Sequence, residues 1–473
     1  MQKIHKIISI ILIISLLVVC FSACSGSQTI IPTPTEGIIN ATNYTVVFGD
    51  NLTYDTSLEI NDGDSITISF WFPTDVESIC EEYVEKYKDI HKNVTFKTKS
   101  YPWDEYWTEL TDALEGGTGP DIYWMNTAYQ STLIEYANPL SEENFPKDDM
   151  ELDFRNFYAH AIDDEIYFVD LGYTAPIMFY NKTLWGEAGY SESDLPTTWS
   201  ELIVTSLSTT TNNILGETTV SGFDFSGSNN FLTILTAMNY QSGEMQYSYG
   251  GEETNFYNDI CIENMEYLSS FINSYGISTY TSVANRDKLG YEQTVMICDY
   301  TWVYLYMQEV YPDIEIGVFA MPEFIDAPAI SSMYSDVSPC ISCESSQEKI
   351  EASEDFLKFL LSYDNFIKDY SLANALYPSK YSLDDDKDIL ADPVLSVLSE
   401  TIDRTILIAP PSATIESIKT YYLQTAYLSG AITAEDATMQ TDIECKSALS
   451  QLDYESLEKF YKYIIWFYKS DEI

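Results

Sequence analysis

The chain has 473 residues, with 74 acidic against 23 basic side chains and a formal charge of −51. Such a balance excludes nucleic-acid binding by phosphate neutralisation and docking of the folded body on an anionic bilayer. Beyond residue 23 only His91 and His160 remain as histidines, so multi-histidine metal chemistry has no material and no cofactor is expected.

The N-terminus reads as a signal. "MQKIHK" is a short basic start, "IISIILIISLLVV" an apolar run, and "CFSAC" brings small residues before Cys24. The run is too short for a comfortable membrane span. "FSAC" resembles the bacterial lipobox, with Phe21 in place of the usual Leu-like residue. That resemblance implies a signal peptide over 1–23 and a lipidated Cys24, which would hold the protein on the outer face of the cell membrane. Ordinary cleavage to a secreted protein is the plainer alternative. Residues 24–60, polar and lacking helical periodicity, read as a flexible tether.

From Ser65 the pattern changes. "SITISFWFPTD" places Ile66, Ile68, Phe70 and Phe72 on alternate positions, which predicts a strand with Trp71 on its other face. Thr74 and Glu77 have capping-box spacing at the start of a helix whose apolar positions include Val76, Ile79, Tyr83 and Tyr87. "NVTFKTKSY" predicts a second strand, and "WDEYWTELTDALEGG" a second helix that stops at glycine. "PDIYWM" is the third strand, with Trp124 and Asn126 at its far end. Strand–helix alternation predicts an α/β fold with a parallel sheet covered on both faces. Ligands of such sheets bind outside the carboxyl ends of the strands, where Trp71 and Trp124 both fall. Core filling is the competing explanation for either indole.

The alternation resumes through "YFVDLGYTAPIMFYNKTLWGEAGY", "PTTWSELI" and the helical "NNFLTILTAMNY". A long helix over "IENMEYLSSFINSYG" precedes "TVMICDYTWVYLYMQEVYP" and the strand "IEIGVFAMP". "SEDFLKFLLSYDNFIKDYS" carries one apolar stripe through Phe356, Leu360, Tyr363, Ile367 and Tyr370. Helices dominate the remainder, down to "LEKFYKYIIWFYK". "DDDKDIL" lacks the turn glycine and closing glutamate of a calcium loop. Beyond the signal and Cys24 lie Cys80, Cys261, Cys298, Cys340, Cys343 and Cys445; "CISC" has no second pair to complete a zinc site. Buried thiols, or one bridge at most, are expected.

The order of these motifs resembles the extracellular solute-binding proteins of sugar ABC importers, the group that includes maltose-binding proteins. "ITISFWFPTD" is similar to that family's first strand, and "GGTGPDIYWMN" to its Gly-x-x-Pro-Asp motif. "FYNKTLWGEAGY" followed by "PTTWSEL" resembles its Tyr-Asn-Lys signature and Pro-x-Thr-Trp helix start. Met296 followed by Trp302 fits its Met-to-Trp spacing, although Glu292 and Tyr300 stand where glycines are usual. "ALYPSKYS" and "GAITAEDA" are similar to its late turn and closing helix. The match runs in order over roughly 65–450.

The resemblance implies a two-lobe, periplasmic-binding-protein-like fold of the maltose-binding type, with a sugar held between the lobes. Lobe one would comprise 65–175 and 335–375, and lobe two 176–330 and 380–473. "DLGYTAP" would make the first crossing, and the segment after "VFAMP" the second. Sugars offer C–H faces to rings and hydroxyls to carboxylates and amides. Trp71, Trp124 and Trp302 are therefore the stacking candidates, and Asp75, Asn126, Asp299 and Asp336 the hydroxyl-binding candidates. Tyr173, in the first crossing, would line the cleft floor, with ordinary loop packing as its alternative. The implied partners are a carbohydrate and the permease subunits of an ABC importer, served by a monomer. The competing readings are a peptide or polyamine carrier on the same fold, a surface sensor, and a glycoside hydrolase. The last needs only two carboxylates, but no nucleophile elbow, zincin motif or P-loop accompanies them.

Overall fold

The computed structural model describes residues 47–450 apart from 127–128, 163, 228–229, 248–253, 336 and 408–412. The signal segment, Cys24, Asp336 and the closing "LEKFYKYIIWFYK" stretch lie outside the described residues. Ten strands position the site: β1 (Ile66–Pro73), β2 (Val94–Tyr101), β3 (Ile122–Asn126), β4 (Gly172–Thr174), β5 (Pro176–Asn181), β6 (Thr218–Asp224), β7 (Thr294–Tyr300), β8 (Ile316–Phe319), β9 (Ser331–Ser335) and β10 (Val337–Ser342).

They build three sheets. One has the order β2-β1-β3-β10 and ends on the short strand Ala137–Asn138. A second starts on Thr211–Asn212 and continues β6-β7-β5-β8. The third joins them: Tyr377–Pro378, β4, β9 and Thr405–Leu407. β4 runs through Ala175 into β5 of the second sheet, while β9 runs on toward β10 of the first. Each lobe thus receives one strand that begins in the joining sheet, which gives the two-lobe α/β architecture.

Neither lobe sheet is purely parallel. β1 pairs in parallel with both β2 and β3, whereas β10 enters antiparallel to β3. In the second sheet β6 and β7 are parallel, and β5 is antiparallel to β7. The physical reason is connectivity. A strand arriving from the other lobe needs no crossover helix, so nothing forces it to run with its neighbours.

The alternation of β1 is used as expected: Ile66, Ile68, Phe70 and Phe72 are all buried. Glycine ends the helix Trp103–Glu115, with Gly117 at φ +65°. Thr198 and Glu201 form a true capping box at the start of Trp199–Thr209. The box expected at Thr74 and Glu77 does not form. Thr74–Val76 make a separate 3₁₀ turn, and Glu77 instead accepts from the Ser100 hydroxyl at 2.7 Å. The continuous stripe read across 353–371 is two helices, Gln347–Ser362 and Asp364–Asn374, broken at Tyr363.

The tether reading of 24–60 does not hold for residues 47–60. Leu52 and Tyr54 are fully buried, and the strands Val47–Phe48 and Tyr54–Asp55 pair with each other. The Tyr54 hydroxyl donates to Asp355 at 2.8 Å and sits 2.6 Å from His91 Nε2, while Tyr87 donates to the same carboxylate at 2.6 Å. Burial pushes the Asp355 carboxyl up, and the two phenols pull it back toward the charged form. Asp153 accepts the Leu52 backbone N–H at 2.8 Å. The segment is stapled to the first lobe by polar groups that carry no periodic signal.

Among the described residues all six cysteines are free; Cys343 is exposed and the rest are buried. No described helix is long and apolar enough to cross a membrane.

Gly222 in β6 lies against the helix Trp199–Thr209 at Ser206. A Cβ there would lie 2.0 Å from the Ser206 carbonyl oxygen and 2.5 Å from its Cα. Backbone cannot swing aside as a side chain can. Gly222→Ala is therefore expected to lower stability by about 3 kcal/mol, the upper end of ordinary overpacking. Urea unfolding would check this, and an unchanged midpoint would show that the helix slides freely on the sheet.

Candidate functional site

The register of the three sheets brings the strand ends together. Val337 of β10 lies opposite Asn126 at the end of β3, and Pro176 of β5 opposite Tyr300 at the end of β7. Between them, Tyr334 and Ser335 of β9 face Thr174 and Tyr173 of β4. The carboxyl ends of the core strands in both lobes thus converge on the joining sheet. The Thr174 and Thr301 hydroxyls meet there at 2.9 Å, and the rings of Tyr300 and Tyr334 lie 5.9 Å apart.

The second lobe contributes the denser polar group. Asp299, the penultimate residue of β7, is buried; its Oδ1 accepts the Tyr300 N–H at 2.9 Å, and its Oδ2 has no partner. Burial pushes this carboxyl up to about 6, against the pull of the Tyr300 N–H, Arg286, Asn285 and Asn230. Trp302 follows three residues later and is 40% exposed, an unusual state for an indole. Asn285 and Arg286 open the short helix Asn285–Gly290, and Asn285 Nδ2 donates to the Cys298 carbonyl at 3.0 Å. Asn230 begins the helix Asn230–Gln241 and donates to the Ser226 carbonyl at 3.1 Å.

Beneath this group lies a buried ion pair. Lys288 Nζ is 2.8 Å from Asp224 Oδ2, and it also donates to Ser226 Oγ at 2.8 Å and to the Thr279 carbonyl at 2.9 Å. The Ser226 carbonyl in turn accepts the Asn285 N–H at 3.0 Å. The pair therefore fixes the loop on which Asn230 and Asn285 stand.

In the first lobe Asp75 is exposed in the turn after β1, and Asn126 is half-buried at the end of β3. Two expectations change. Trp124 is fully buried and stacks on Tyr370, with ring centroids 5.6 Å apart, so it presents no face to a ligand. It stands near the strand's carboxyl end, but the helix Asp364–Asn374 covers it. Tyr173 is also fully buried, and its hydroxyl donates to the Arg155 carbonyl at 2.8 Å. Its role is packing of the joining sheet rather than the cleft floor. Trp71 is half-buried, with Tyr101 at 5.5 Å and Lys99 Nζ 4.4 Å from its ring.

Sequence reasoning missed Arg286, Asn285 and Asn230, together with aromatics clustered at the end of β2. There Trp107 stacks on Tyr129 at 4.1 Å, with Trp103 edge-on at 5.2 Å. The available signal was "YPWDEYW", three rings immediately after a strand's carboxyl end.

Asp299 allows a test of sign. Burial pushes its native carboxyl up to about 6, so the contribution of this group to stability is full at low pH and is lost as pH rises through about 6. The penalty at pH 8 is on the order of 3 kcal/mol. Asp299→Asn is expected to melt a few degrees above the wild type at pH 8 and to lose that advantage by pH 4. A variant that melts lower at pH 8 would contradict the assignment.

Comparison with known proteins is consistent with this geometry. A cyclic alpha-maltosyl-1,6-maltose binding protein from Arthrobacter globiformis is 18% identical, with a TM-score of 0.70 over 82% of this chain and 100% of its own. An ABC substrate-binding protein from Listeria monocytogenes, in complex with cycloalternan, is 17% identical with a TM-score of 0.66, over 82% and 100%. The maltose/maltodextrin-binding domain from Bdellovibrio bacteriovorus, bound to maltotriose, is 15% identical with a TM-score of 0.62, over 81% and 100%. These likenesses establish the maltose-binding type of two-lobe fold. The family model for bacterial extracellular solute-binding proteins matches residues 82–396, well over half the sequence, and the chain belongs to that family.

Proposed function

We propose that this protein captures an oligosaccharide between its two lobes and delivers it to an ABC importer, without chemical change to the sugar. The observation that carries the reading is Trp302, an exposed indole beside a buried carboxylate with a free oxygen, Asp299, where the two lobes meet. A ring and an acceptor so placed suit a sugar's C–H face and its hydroxyl fringe. The similar structures carry cycloalternan and maltotriose, both oligosaccharides, which supports the class.

The lobes in this reading are 65–175 with 335–375, and 176–330 with 380–473. Asp75, Asn126 and Asp336 would complete the site from the first lobe and the second crossing, with Trp71 at its margin. Ligand touching both lobes only in the closed form would shift the hinge equilibrium toward closure, and the permease would read the closed form. Cys24 would carry the lipid that keeps the protein on the cell surface, and 24–46 would be its tether.

Thermal melting of the purified protein against mono- and oligosaccharides, with peptides and spermidine as controls, tests the reading. Ligand at 100 times its dissociation constant adds about 2.7 kcal/mol. A rise with one sugar series, recovered intact, is expected. A rise with spermidine or peptide alone would overturn the carbohydrate assignment, and cleavage of the sugar would make the protein an enzyme.

A further inference from the structure

Arg286 is a cation in an unusual position. In a chain with 74 acidic residues, it makes no ion pair with a carboxylate among the described residues. Its guanidinium carbon lies instead 5.2 Å from the Trp302 ring centroid and 5.2 Å from that of Tyr306. Its Nε is buried and has no hydrogen-bond partner, and neither has the nearby Asp299 Oδ2. A desolvated donor and a desolvated acceptor left open in one place are unfavourable unless something completes them.

The backbone holds this arrangement. Asn285 bonds the Cys298 carbonyl at the end of β7 through its side chain, and Ser226 through its N–H; its Oδ1 accepts the Arg286 N–H at 2.7 Å. Arg286 is thus fixed on the strand end that carries Asp299 and Trp302. Tyr306, on the helix Val303–Val310, is held in turn by a 2.7 Å bond to Asp287 Oδ1. A guanidinium packed on an indole restrains the ring and still offers its planar donors sideways.

We propose that Arg286 is a specificity-determining residue of the cleft: its guanidinium backs the Trp302 indole, while its Nε and Asp299 Oδ2 bond hydroxyls of the sugar unit stacked on the indole's other face. This rests on the carbohydrate reading above. The class of ligand it selects is a sugar unit with free neighbouring hydroxyls at that subsite. Units deoxygenated or O-methylated there would leave a buried group open and be rejected.

The test is calorimetric titration of wild type, Arg286→Met and Arg286→Lys. The ligands are the sugar that raises the wild-type melting temperature most and its mono-deoxy and O-methyl derivatives. Melting curves and tryptophan emission are recorded for each protein. Arg286→Met is expected to melt with the wild type, to bind the parent sugar at least tenfold more weakly, and to lose most of the wild type's preference for it over the derivatives. Arg286→Lys keeps a cation against the ring but lacks Nε. It is expected to restore the emission spectrum without restoring the preference. Wild-type preference in both variants, whatever the affinity, would reduce Arg286 to packing and overturn the proposal alone. Failure of the wild type to bind any sugar would overturn the carbohydrate reading, and this inference with it.

Discussion

Trp302→Ala is expected to abolish most ligand affinity while leaving the fold intact. An exposed aromatic at the centre of a binding surface contributes as a hot spot, about 2–4 kcal/mol, or roughly 30- to 1,000-fold in dissociation constant. Its backbone role survives the change. Residue 302 precedes the helix Val303–Val310, and its carbonyl accepts the Tyr306 N–H at 3.2 Å whatever the side chain. Because the indole is 40% exposed, its removal opens no sealed cavity. The melting temperature should therefore stay close to that of the wild type while calorimetric affinity collapses. Trp302→Phe, which keeps a ring, should fall between the two. Unchanged affinity in Trp302→Ala would remove the residue from the site.

The largest effect on stability is expected from Lys288→Met. The Lys288 and Asp224 side chains are 6% and 0% exposed, so the pair has no access to water. Removing the cation leaves a buried carboxylate beside the Ser226 hydroxyl, at a loss of about 3–5 kcal/mol. The damage should extend to ligand binding, because Ser226 holds both Asn230 and Asn285. Removing both charges separates the two effects. Lys288→Met with Asp224→Leu should recover much of the stability, since an apolar pair of similar volume replaces a buried ion pair at little loss. Denaturant titration reads the first effect and calorimetry the second. A single variant as stable as the wild type would show that water reaches the pair.

Much of the fold was legible because its signals are local. The alternation in β1, the glycine stop after Trp103–Glu115 and the Thr198 capping box all depend on residues within one element. What failed depends on distant chain. Trp124 sits near the carboxyl end of its strand, as read, yet Tyr370 lies on the helix that covers it, far along the sequence. Tyr54 looks like linker because its partner, Asp355, is 301 positions away. The apolar stripe through Tyr363 continues across a backbone break, since periodicity in sequence does not register one extended residue. The site was half legible. The resemblance offered Trp302 and Asp299 as candidates, but no pattern in "SVANRDKLGYEQ" marks Arg286 as the neighbour of Trp302.

The measurement that tests the central claim most directly is a crystal structure grown with the oligosaccharide that stabilises the protein most. The account predicts a sugar ring in van der Waals contact with the Trp302 indole, roughly 4 Å from it, and a hydroxyl bonded to Asp299 Oδ2, with groups from both lobes on the ligand. A sugar bound elsewhere, for example along Trp71 and Tyr101, or one touching a single lobe, would contradict it.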